Sequence, residues 1–398
     1  MLGLNSLILL LVGCFQWGSR ASRKLPDYTA LDKSYEYDGD VIIIGAGAAG
    51  LAAARVLEEN DIQYIVLEAT DHYGGRLQED RDFADFPIDL GAEWIHNNPE
   101  ILDILSGKDG VSEIIDLVPH QLEDVYRWNG EEYKEVPQSA LNGLFKFFPE
   151  HKFKNSTWFS FVEEHFANKV AHRIQTNSPV TRIDYSGDTV EVTTQSGDVF
   201  EADKVLVTVS VGVLKSETIE FIPEMSETKK TALNSVPFLP GVKMFLKFSD
   251  QFYPDVVYCS VETGEKAFYD IAFKKDTEDS VLGVLVTGPA ADAYTALSSE
   301  AEIIDTVLAE LDVIFDGAAS TNYLGKYRIE KWGERPYTQG TWVEGFRVSK
   351  KTRKTLNEPL DGRVYFAGEV YDVYQQMGVP GSILSGFEAI DRLLLGQD

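Results

Sequence analysis

Hydrophobic and polar positions divide the chain into segments of two periods. Val41-Ile42-Ile43-Ile44 is a wholly apolar, β-branched run without polar alternation, which predicts a parallel strand buried on both faces. A helix-forming stretch, Leu51 to Glu59, follows; Asn60-Asp61 breaks it, and Gln63 to Glu68 reads as a second strand. Together these make one βαβ unit. The region 97–174 reads as mainly helical with polar breaks. Strands return from 180 to 209: Val190 to Thr194 alternates, Ser196-Gly197-Asp198 predicts a turn, and Lys204 to Val209 is an apolar strand. Val242 to Phe248, Val256 to Cys259 and Val281 to Thr287 are further strand-like runs. Alternation places Lys243, Phe245 and Lys247 on one face, and Val242, Met244, Leu246 and Phe248 on the other. Glu300 to Phe315 has helical spacing, Gly362 to Gly368 reads as a last strand, and Ile383 to Leu395 as a closing amphipathic helix. No repeat or low-complexity tract interrupts this order.

Composition supports a globular chain: 398 residues, 44% hydrophobic and 12% aromatic, are enough for one large core or two ordinary ones. The charge is lopsided, with 64 acidic against 36 basic residues and a net of −28. Such a surface repels phosphate backbones, so nucleic acid is not expected as a partner; a solvated acidic surface that aids solubility is the plain reading. Two cysteines, Cys14 and Cys259, form no framework and belong to no metal-binding cluster. Cys259, in an apolar strand, is expected to be a buried inert thiol. At the N-terminus the apolar run Leu2 to Trp17, followed by Arg20, Arg23 and Lys24, is too short to span a bilayer and fits an export signal. Leu11-Val12-Gly13-Cys14 also resembles a bacterial lipobox. No basic residue precedes the run, which counts against both. The expectation is an exported protein with membrane association only through that signal or a lipid anchor, a cytoplasmic location being the alternative.

The chemistry begins at Gly45-Ala46-Gly47-Ala48-Ala49-Gly50, between the first strand and its helix. Gly45 permits the tight turn, Gly47 lets a pyrophosphate approach the backbone, and Gly50 lets the helix pack on the strand. The helix start at Ala49 then offers unpaired N–H groups and partial positive charge to phosphate. Glu68 ends the second strand, where a carboxylate receives hydrogen bonds from a ribose hydroxyl and disfavours a 2′-phosphate. NAD and FAD share this pattern; NADP does not fit it.

Downstream stand Gly74-Gly75-Arg76 and Leu90-Gly91-Ala92-Glu93-Trp94-Ile95-His96. With them the chain resembles the flavin-containing amine oxidases, the polyamine oxidase branch most of all. The resemblance continues in Thr208 to Lys215 (TVSVGVLK), Ile219 to Pro223, Asn177-Ser178-Pro179-Val180, Trp332 with Pro336 to Trp342, Arg363 to Glu369 and Gly381 to Gly386. It spans residues 40–96 and 177–395 and implies non-covalent FAD. Glu68 and Ala69 would meet the ribose, Gly75 and Arg76 the diphosphate, and Val180 the adenine. The segment from Gly91 to Trp94 and Trp332 would lie beside the isoalloxazine ring. Gly368 and Glu369 would hold the ribityl-phosphate region, and Gly378 and Val379 begin the helix aimed at the flavin. The resemblance also puts Lys243 where the family keeps a lysine bonded through water to flavin N5; periodicity alone makes it a polar-face residue. His96 would bind or deprotonate an amine, and Trp342 would form one wall of a substrate cage.

Three departures accompany the resemblance. Thr341 replaces the cysteine that bonds flavin in monoamine oxidases, Gly378 stands where many members have the second cage aromatic, and the region 97–174 is short.

The expected fold is α/β: a discontinuous Rossmann-type FAD-binding domain (38–96, 175–225 and 356–398) and an α+β substrate domain (97–174 and 226–355), in an amine oxidase-like two-domain architecture after a signal or linker segment at 1–37. The expected activity is FAD-dependent oxidation of a polyamine or secondary amine, with O2 reoxidising the flavin and no metal involved. The alternatives are an L-amino acid oxidase-like enzyme, for which Arg335 or Arg347 would have to meet a carboxylate, and a flavin-binding protein retained for interaction.

Overall fold

The computed structural model describes residues 26, 29–147, 149–343, 348–372 and 378–397. The export signal with Cys14, as well as Arg347, lies outside them.

The Gly-rich turn sits on a five-stranded parallel sheet. Its order is Ile174–Gln175, Tyr64–Leu67, Val41–Ile44, Lys204–Val207 and Val364–Phe366. All four residues of the central Val41–Ile44 strand are buried, as an apolar run without alternation requires. Helix Ala48–Glu59 and the closing helix Gly378–Leu395 pack against each other over one face of this sheet. The other face shares a core with a four-stranded sheet built from Val180–Asp184, Val190–Thr194, Val199–Ala202 and Glu220–Ile222.

A seven-stranded sheet forms the second half of the molecule. It runs Tyr323–Lys331, Gly241–Phe248, Ser280–Thr287, Lys266–Asp270, Val256–Cys259, Val125–Trp128 and Tyr133–Glu135. One face, carrying Val242, Met244, Leu246 and Phe248, is covered by helix Glu300–Ile314. The opposite face carries Lys243, Phe245, Leu285, Ala267, Tyr258 and Tyr269, because these positions share register across the ladder.

Two expectations need correction. The region 97–174 holds more helix than strand, but it is not helix with polar breaks alone: Leu117–Pro119, Val125–Trp128, Tyr133–Glu135 and His151–Phe153 are strands. Val125–Trp128 and Tyr133–Glu135 form a hairpin that extends the large sheet, while Trp94–Ile95, His151–Phe153 and Leu117–Pro119 form a small sheet beside it. The described end of segment 1–37 is not a free linker either. Tyr35 is buried, and its hydroxyl donates to Asp391 on the closing helix at 2.5 Å, beside a Lys33–Asp391 ion pair.

Candidate active site

A continuous cavity of about 970 Å³ runs from the Gly-rich turn to the inner face of the large sheet. Its volume is at the upper end for small-molecule and cofactor sites. Every proposed site residue except Gly50 lines it: Gly45, Gly47, Ala49, Glu68, Ala69, Gly75, Arg76, Gly91, Ala92, Glu93, Trp94, His96, Val180, Lys243, Trp332, Trp342, Gly368, Glu369, Gly378 and Val379.

Backbone geometry shapes the nucleotide end. Gly45 has φ +105°, outside the range of ordinary L residues. A Cβ on Gly50 would stand 2.0 Å from the Gly45 carbonyl oxygen, which is why Gly50 packs beneath the turn without reaching the cavity. A Cβ on Gly47 would meet nothing within 4 Å, so the backbone there is open to an incoming group. The start of helix Ala48–Glu59 faces the same opening, with no side chain capping it. Glu68 is held by hydrogen bonds from the Ala46 N–H at 2.8 Å and the Thr70 N–H and hydroxyl at 2.9 and 2.8 Å. In the middle of the cavity Arg76 donates to Glu369 at 2.6 Å and to the Thr341 carbonyl at 2.5 Å.

The far end is rich in buried charge. Lys243 is 2% exposed, which corrects the polar-face reading: the small sheet and Trp94 roof its side of the strand. Its ammonium donates to Glu93 Oε2 at 2.8 Å and to the carbonyls of Asp89 and Gly91 at 2.7 and 3.1 Å. Glu93 Oε1 pairs with Lys152, and the Tyr269 hydroxyl donates to Oε2 at 2.9 Å. Burial works to raise the Glu93 carboxyl, but the two lysines outweigh it and hold it well below the usual range. Burial pushes Asp89 well above its usual range, with Lys243 opposing. His96 Nδ1 lies 2.7 Å from Glu150 Oε1, and His120 sits between Trp94 and Phe273 with edge-on contacts. Burial, with Lys152 adding to it, lowers His120 to about 3, so its ring is neutral near pH 7. Cys259 is buried and pushed up to about 12, an inert thiol.

Sequence reasoning missed His120, Glu150, Tyr258, Glu265 and Tyr269, which also line the cavity. His120 and Glu150 were hidden in the misread helical region. Tyr258, Glu265 and Tyr269 lie in or just before strands whose inward face no local pattern marks. Of the two arginines proposed for a carboxylate, Arg335 lines the cavity but pairs with Glu330 and lies 4.4 Å over Trp332. Among the described residues no His/Cys/Asp/Glu group fits a metal ion, and no helix is long and apolar enough to cross a membrane.

A family model described as flavin containing amine oxidoreductase matches residues 48–163 and 159–394. The chain belongs to this family. Among other members, it is 26% identical to probable polyamine oxidase 4 of Arabidopsis thaliana, over 90% of this chain and 88% of that protein. It is 27% identical to lysine-specific histone demethylase 2 of Homo sapiens over 92% of its own length, but spans only 54% of the demethylase. The fold matches solved amine oxidases. Cyclohexylamine oxidase from Brevibacterium oxydans superposes with TM-score 0.71 at 17% identity, over 90% of this chain and 99% of that one. A putrescine oxidase with redesigned cofactor binding gives 0.72 at 16%, over 91% and 100%. Membership implies FAD, and the residues fit it: an open glycine turn at an uncapped helix start, a carboxylate at the end of the second strand, and a long cavity beyond.

Proposed function

We propose that the protein is an FAD-dependent oxidase of polyamines or secondary amines, holding its flavin without a covalent bond. The continuity of the cavity carries this reading. If the Gly47–Glu68 end grips the adenylate half, the redox ring lies toward the sheet face, where Lys243, Trp94, Trp332 and Trp342 line the wall. FAD supplies the hydride acceptor for the carbon next to the amine nitrogen, and O2 restores it with release of peroxide.

The chain's own residues prepare the substrate. His96, oriented by Glu150, takes a proton from an arriving ammonium, because only the neutral amine carries the lone pair that assists hydride loss. Glu265 and Glu150 place negative charge on the wall, which favours a second cationic centre on the substrate. Trp342 contributes an apolar wall, and the space an added Cβ would occupy at Gly378 meets no atom within 4 Å. Thr341, which hydrogen-bonds the Leu239 carbonyl at 3.0 Å, offers no thiol for a flavin bond. Arg335, one of the two arginines that an amino acid substrate could call on, is engaged by Glu330. Export is proposed on the N-terminal sequence alone.

The reading is tested by adding spermine, N-acetylspermine, an aliphatic monoamine and an amino acid to the purified yellow protein. Peroxide release with the polyamines is expected. Release with the amino acid alone, or failure of every compound to bleach the flavin without oxygen, would overturn it.

A further inference from the structure

Two buried lysines share one carboxylate at the redox end of the cavity. Glu93 gives Oε2 to Lys243 at 2.8 Å and Oε1 to Lys152. All three are nearly sealed, with side-chain exposures of 3% for Lys243, 5% for Lys152 and 6% for Glu93. Glu93 and Lys243 line the cavity; Lys152 stands behind them, 5.5 Å from the Trp94 ring and 5.4 Å from that of Tyr269. Pairing between Trp94–Ile95 and His151–Phe153 sets this arrangement, since Trp94 lies opposite Lys152. Other ionisable groups surround the triad, among them Asp270, which acts on Lys152 and whose carboxyl burial raises to about 6. His120 is neutral, the Tyr269 hydroxyl is a donor, Glu150 is bonded to His96, and burial disfavours the charged form of Asp89. Lys275 is committed to the carbonyls of Phe153 and Lys154.

We propose that Lys152 is a positioning residue: by occupying Glu93 Oε1 it prevents Glu93 from neutralising Lys243. The Lys152–Glu93–Lys243 triad therefore presents one net positive charge to the flavin. In a site shielded from water such a charge favours the reduced cofactor, which carries more negative charge than the oxidised form. The inference rests on the flavin reading above and concerns a residue that touches neither cofactor nor substrate.

The test is the midpoint potential of FAD in the purified holoenzyme, measured for wild type, K152M, K152R and E93Q, with thermal unfolding followed in parallel. K152M is expected to lower the ratio of reduced to oxidised flavin about tenfold at fixed potential, a fall of about 30 mV for a two-electron couple. K152R should restore the wild-type value. E93Q, which removes the negative charge instead, should raise the potential. A merely structural role would not give opposite signs. A K152M potential equal to wild type, or an E93Q potential at or below it, overturns the proposal. If K152M fails to hold flavin, K152R and E93Q decide by the same criteria. Wild-type protein without flavin would overturn the proposed function itself, whereas a flavin indifferent to Lys152 would overturn this inference alone.

Discussion

The two ends of the cavity are built by different physics. At the nucleotide end, residues close in sequence do the work: Gly45, Gly47, Gly50 and Glu68 belong to one βαβ unit and are held mostly by backbone groups. At the sheet-face end, Glu93, Lys152, Lys243 and Tyr269 come from four strands or their edges and are held by one another. The first end is a shape that FAD and NAD alike can use. The second is a set of buried charges whose value depends on every member being present. Binding is thus separable from chemistry, and substitutions should divide accordingly.

The largest effect is expected at the nucleotide end. Gly50→Val drives a side chain into the Gly45 carbonyl, already 2.0 Å from the first added carbon. It should cost at least about 3 kcal/mol and abolish FAD retention, checked by thermal unfolding and flavin content. Lys243→Met should leave FAD bound but slow turnover about 10²-fold, the scale for loss of one preorganised electrostatic stabiliser. Loss of flavin from Lys243→Met at wild-type stability would break the division between the ends.

His120 gives a pH signature confined to the sheet-face end. Its folded value is about 3, against 6.5 for an ordinary histidine, so below pH 6.5 the unfolded chain binds a proton that the folded one refuses. Stability therefore falls as pH is lowered through that window, by up to about 2 kcal/mol between pH 6.5 and 5. Asp270, raised by burial to about 6, acts in the opposite direction below pH 6. His120→Phe should flatten the fall and Asp270→Asn should steepen it, both read from unfolding midpoints across the range. The smallest effect belongs to Glu265→Gln. Its partly exposed carboxylate should change KM for a diamine by no more than about fivefold, with kcat unchanged, since a solvent-reached ion pair contributes at most ~1 kcal/mol.

The same contrast explains what could be read before folding. The Gly-rich turn and Glu68 are local, so spacing alone placed them, and the large sheet's two faces followed from alternation in Val242 to Phe248. Burial of Lys243 did not follow, because its roof comes from Trp94 and a small sheet whose strands lie far apart in sequence. The missed hairpin had one signal: Asn129-Gly130 between Val125–Trp128 and Tyr133–Glu135, with Gly130 at φ +95° and Asn129 Oδ1 accepting the Glu131 and Glu132 N–H groups. Acidic flanks obscured it. His120 and Glu150 are joined by a backbone bond of 2.8 Å across thirty residues, a proximity no local pattern encodes.

The central claim is that one cavity delivers an amine to a flavin seated on the Gly-rich turn. Anaerobic titration of the purified protein with spermine, followed by admission of air, tests it most directly. Stoichiometric bleaching of the flavin, then recovery of colour with one peroxide per turnover, is the predicted result. A flavin that stays oxidised under spermine, N-acetylspermine and simple secondary amines alike would contradict it.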